Sequence, residues 1–63
     1  MIVDKKVKLK LIGLDGNAFN LLQAFSKAAK KDRWSEEEIN KVLNEATIGD
    51  YDHLLCTLQE HCK

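Results

Sequence analysis

Apolar residues in this chain fall into three stripes at helical spacing, and the signals that stop one helix and start the next stand between them. From Ala18 to Lys31 the apolar positions are 18, 21, 22, 25, 28 and 29, widened by Phe19. Lys27, Lys30 and Lys31 gather at the end of this stretch, where the helix dipole is negative. Ser35-x-x-Glu38 then reads as a capping box, in which each side chain satisfies a backbone N–H at the other residue. Trp34 before the cap and Ile39 at the fourth helical position fit a hydrophobic staple, and Glu36, Glu37 and Glu38 meet the positive end of the dipole. Ile39, Val42, Leu43 and Ala46 form the second stripe. Gly49 suits a left-handed terminator and Asp50 a cap for a third stripe of Tyr51, Leu54, Leu55, Leu58 and Cys62. The spacing predicts helices over about 17–31, 36–47 and 51–62.

Ahead of the helices the period changes. Val7, Leu9 and Leu11 alternate with Lys6, Lys8 and Lys10, the pattern of a half-buried β-strand over about 6–12. The turn signal Gly-Leu-Asp-Gly-Asn follows at 13–17, where Asp15 or Asn17 can cap the first helix. The expected fold is therefore α+β and mostly helical: one N-terminal strand and three amphipathic helices (β-α-α-α) in a single small domain. A lone strand needs a neighbour. The expected neighbour is the same strand of a second copy, with Val7, Leu9 and Leu11 at a homodimer interface, or else a strand lent by a different protein; Ile2 and Val3 offer a hairpin only through Asp4-Lys5-Lys6, a poor tight turn.

With 63 residues, the chain buries only about 60% of its unfolded surface, and self-association is one way such a small core is supported. Ten basic and ten acidic residues give a formal net charge of zero, which removes the simplest electrostatic case for nucleic-acid or anionic-membrane binding. No apolar run has the length of a transmembrane helix or the form of a signal peptide. Cys56 and Cys62, six residues apart on one helix, have Cα atoms roughly 9 Å apart, beyond disulfide reach. Free thiols without an export signal place the protein in the cytoplasm.

No motif points to catalysis. His53, Cys56 and Glu60 share a helical face, with His61 and Cys62 beyond, and all are side-chain types that zinc accepts. One helix rarely closes a tetrahedral shell, however, and no Cys-x-x-Cys or His-x-x-x-His pair is present. The spacing instead turns Cys62 toward the core, half-buries Cys56 and leaves the histidines in solvent. A His53–Cys56 nucleophile pair lacks an orienting third group and a walled pocket. Gly13 and Gly16 are spaced for neither a dinucleotide fingerprint nor a P-loop. The sequence thus indicates no catalytic, cofactor-binding or metal-binding residue.

Two resemblances bear on function. Strand, helix, helix with alternating lysines resembles the ribbon-helix-helix DNA-binding proteins, in which two chains pair their strands and the ribbon reads the major groove. That resemblance implies Lys6, Lys8 and Lys10 as nucleic-acid contacts. Against it stand the neutral net charge, the third helix, and Glu36, Glu37 and Glu38, which occupy the helix start where phosphates would dock. The segments KLIGLDGNAFNLLQAF, WSEEEI and GDYDHLL together resemble a group of short bacterial and phage proteins to which no activity attaches. That likeness runs over about residues 8–62 and suggests a phage or mobile-element origin. Proteins of this size often act by binding a larger one, an analogy rather than a derivation. The functional expectation is a non-enzymatic protein-interaction module that binds itself or a larger protein, with a ribbon-type DNA regulator as the alternative.

Overall fold

A computed structural model of the chain describes residues 2–11 and 16–63. Three helices account for its regular structure: α1 (Ala18–Lys31), α2 (Glu36–Ala46) and α3 (Tyr51–Glu60), each packed against the other two. Their starts follow the sequence signals closely. The Asn17 carboxamide accepts from the Phe19 N–H at 2.8 Å and caps α1, while the Asp50 carboxylate accepts from the His53 N–H at 2.9 Å and caps α3. At α2 the capping box is complete: Ser35 Oγ accepts from the Glu38 N–H at 3.1 Å, and Glu38 Oε1 accepts from the Ser35 N–H at 2.9 Å. The expected turn at Gly13 and Asp15 lies outside the described residues.

Each stripe buries its apolar side in one shared core. Leu21, Phe25 and Ala29 come from α1, Ile39, Val42 and Ala46 from α2, and Leu54 and Leu58 from α3, with Trp34 between the first two helices. Trp34 ends one helix and begins the next. The Trp34 N–H donates to Ala29 O and the Arg33 N–H to Lys30 O, both at 3.0 Å, the paired bonds of a Schellman motif. That motif requires a left-handed residue just past the helix end, and Arg33 takes it with φ 66°. Gly49, which the sequence suggests for such a role, lies outside the left-handed region. It is needed for room instead, since a Cβ there would sit 2.9 Å from the Cβ and Cγ of His53.

The N-terminal strand does not form, so the expected β-α-α-α fold is corrected to three helices with no strand among the described residues. Val7 makes one isolated parallel bridge to Cys62. The Val7 N–H donates to His61 O at 2.8 Å, and the Lys63 N–H donates to Val7 O at 2.9 Å. The alternation does report burial: Val7 is fully enclosed, Leu9 and Leu11 are half-buried, and Lys6, Lys8 and Lys10 are exposed. What fills the edge beside Val7 is the chain's own exit from α3, where residues 61–63 extend past the last helical turn. Strand pairing across a homodimer loses its basis, because the residue at its centre is already covered and bonded within the chain.

Candidate functional site

Four features of the structure could carry function, three on the surface and one inside it. The first is a groove of about 340 Å³ between α1 and α2, lined by Phe19, Leu22, Gln23, Ser26, Lys30 and Leu43. Residues 19, 22, 26 and 30 follow one face of α1 at steps of three and four, so the groove runs along the helix. Phe19 remains 65% exposed although it begins a helix whose other side is in the core. Exposure of an aromatic beside two half-buried leucines distinguishes this groove from a solvated helix face.

The second feature collects lysines. Lys5, Lys6, Lys8 and Lys63 surround a cleft of about 440 Å³ with Asp32 and Trp34. Asp32 Oδ2 accepts from the Lys8 backbone N–H at 3.2 Å, which ties the N-terminal segment to the end of α1. Lys5 Nζ lies 2.9 Å from Glu38 Oε2, and this contact, followed by the Ser35 N–H, holds the Glu38 carboxyl below its ordinary value of 4.5. Lys10 lies elsewhere, in a groove of about 520 Å³ with Leu9, Leu11, Gln59, Cys62 and Lys63. The three lysines predicted to form one reading face are therefore divided between two clefts. Among the described residues no strand presents them as a ribbon, so the DNA-reading alternative rests on the sequence resemblance alone.

The third feature gathers the side chains considered as metal ligands or nucleophiles. His53, Cys56 and Glu60 do line one cleft, with Glu45, Ile2 and Thr57. The His53 Nε2–H, however, donates to the Glu45 main-chain oxygen at 2.9 Å and to Glu45 Oε2 at 3.0 Å, which fastens α3 to α2. Among the described residues no group of three His, Cys, Asp or Glu side chains is placed to hold a metal ion. Cys56 and Cys62 are both free. Cys56 is exposed rather than half-buried, and partial burial pushes the Cys62 thiol up from its ordinary value, away from the reactive thiolate.

The fourth feature was not anticipated. His61, expected in solvent, is wholly enclosed. Its ring packs edge-on against Phe25 and Trp34, with centroids 6.4 and 6.2 Å away, and those two rings meet each other at 5.6 Å. The Ile2 and Val3 N–H groups both donate to Nε2 at 3.1 Å. Nε2 must therefore be an acceptor, which puts the ring proton on Nδ1, where it donates to Thr57 O at 2.8 Å. A signal existed: residue 61 continues the buried line of Leu54 and Leu58 at steps of four and three.

Among the described residues no helix is long and apolar enough to cross a membrane. The chain matches no protein-family model, no curated protein and no solved structure. The resemblances read from its motifs therefore gain no support from known proteins, and function has to be argued from the surface.

Proposed function

We propose that this chain is a non-enzymatic protein-interaction module of the cytoplasm that captures an amphipathic helix of a larger protein in the α1–α2 groove. The observation that carries this reading is Phe19, exposed at the mouth of a groove whose floor is Leu22 and Leu43. A helix laid into such a groove inserts apolar anchors at steps of three and four, matching the run of residues 19, 22 and 26. Lys30 closes one end of the groove, and Lys27 and Lys31 continue the positive charge along α1, so the fitting helix carries acidic residues at that end. Cytoplasmic placement is supported by two unpaired cysteines, one of them exposed. The non-enzymatic part is supported by the commitment of His53 to Glu45, which leaves Cys56 without an aligned base.

The test compares proteins retained from host lysate by the unaltered chain and by a Phe19→Asp variant. Because Phe19 is exposed, the variant keeps its unfolding free energy within about 0.5 kcal/mol. A specific protein retained by the first and lost by the second, and competed away by its own acidic amphipathic segment, supports the proposal. Identical retention by both chains refutes it.

A further inference from the structure

On a different face from the α1–α2 groove, the geometry points to a second binding site: the cleft of Lys6, Lys8 and Lys63 takes an oligophosphate anion of two or three phosphates, whether free or part of a single-stranded nucleic-acid backbone. Four lysine ammonium groups line this cleft, and Asp32 is the one acidic side chain among its lining residues. Lys5 is answered by Glu38, but among the described residues the ammonium groups of Lys6, Lys8 and Lys63 make no ion pair. Lys63 is far in sequence from Lys6 and Lys8 and is brought beside them because residues 2–9 lie against the exit from α3. In a chain of zero net charge, a cluster of one sign is a choice of placement rather than of composition.

Arg33 stands between the lining residues Asp32 and Trp34 in sequence but does not itself line the cleft. It holds the left-handed position that glycine fills at little cost, and its guanidinium has no partner among the described residues. The same surroundings limit the length of the ligand. Glu38 stands at the margin with Glu36 and Glu37 in the same helical turn, so an extended polyanion would run onto carboxylates, whereas a short one ends before them.

The experiment is an NMR titration of the whole chain with tripolyphosphate, and separately with a short oligothymidylate, following the amides of residues 5–8, 32–34 and 63. Sulfate at matched ionic strength is the control for screening. The expected result is saturable shifts confined to those amides, at least about tenfold weaker in a Lys6→Glu/Lys8→Glu variant and unchanged in Lys27→Glu. Both lysines are exposed, so the unfolding midpoint checks that the reversed variant folds. Saturation by the oligothymidylate but not by tripolyphosphate assigns the anion to nucleic acid, and the converse assigns it to a free oligophosphate. Shifts that sulfate reproduces, shifts indifferent to the charge reversal, or no shift with either anion would overturn the assignment. None of these outcomes depends on Phe19, so this site and the apolar groove stand or fall separately.

Discussion

Residues 32–35 and residues 2–9 do the same work in this molecule, since each is a short non-helical stretch that fixes helices against one another. They differ in where their partners lie. Between α1 and α2 the bonds that end one helix and start the next are local: Trp34 to Ala29, Arg33 to Lys30, and Ser35 with Glu38, while the Asp32 carboxylate alone reaches across to the Lys8 N–H. The N-terminal segment is held by His61 and its neighbours, and the Val3–His61 bond alone spans 58 positions. The local junction is a cap at each of two helix ends, and its parts act nearly independently. The clasp is one buried acceptor serving two backbone donors within an aromatic cage, and it succeeds or fails as a unit.

That difference can be broken most forcefully at His61. His61→Ala removes a fully buried ring and leaves the Ile2 and Val3 N–H groups without an acceptor. A loss of about 3 kcal/mol or more in urea unfolding is expected, large against the whole stability of so small a domain. Fluorescence of Trp34, the single tryptophan, should also lose its native signature. A loss below about 1 kcal/mol would mean that the N-terminal segment is not held by this ring.

The junction should respond more gently. Ser35→Ala deletes one cap bond of the capping box, and a loss of about 1 kcal/mol in the same measurement is expected, with the Trp34 signal of the folded state retained. Arg33→Gly acts in the opposite direction, because glycine enters the left-handed position without the Cβ penalty, for a gain of about 0.5 to 1 kcal/mol.

The smallest effect joins the two regions through Lys5 and Glu38. Because the folded-state value of Glu38 is lowered, the stability it contributes is present above its ordinary value of 4.5 and is lost as pH falls through the lowered one. Unfolding midpoints measured from about pH 5 down to about pH 3 should therefore decline less steeply in Glu38→Gln than in the unaltered chain. Parallel declines would remove the Lys5–Glu38 contact from the account.

The contrast also explains what could be read from the residues alone. Helix positions, the Asn17, Ser35 and Asp50 caps and most core residues are written in signals less than two turns long, so local rules recover them. Alternation at Val7, Leu9 and Leu11 identifies a buried side but not the group that meets its backbone, and the nearest known solution, a second strand, stood in for residues 61–63. His61 was misplaced because a histidine on a buried line is polar by type; only the N–H groups of Ile2 and Val3 make its burial acceptable. Arg33 is left-handed where Gly49 is not for a related reason: burying Trp34 against the end of α1 dictates the left-handed residue before it, whatever its identity. Of the candidate sites, the His53–Cys56–Glu60 face was legible as helical spacing, but the turn of His53 toward Glu45 was not. The lysine cleft depends on the clasp and had no local signature.

The clasp also sets an order of events in time. Val7 is made before any helix, whereas His61 follows all three, so at synthesis rates of roughly 5 to 20 residues per second the N-terminal segment waits about 3 to 10 s for its acceptor. Until His61 docks, α1 and α2 can form through their own caps, while the side of Phe25 and Trp34 that it will cover stays open. A molecule that has not yet closed this clasp thus exposes an aromatic surface that a closed one does not, a difference by which a chaperone can tell the two apart.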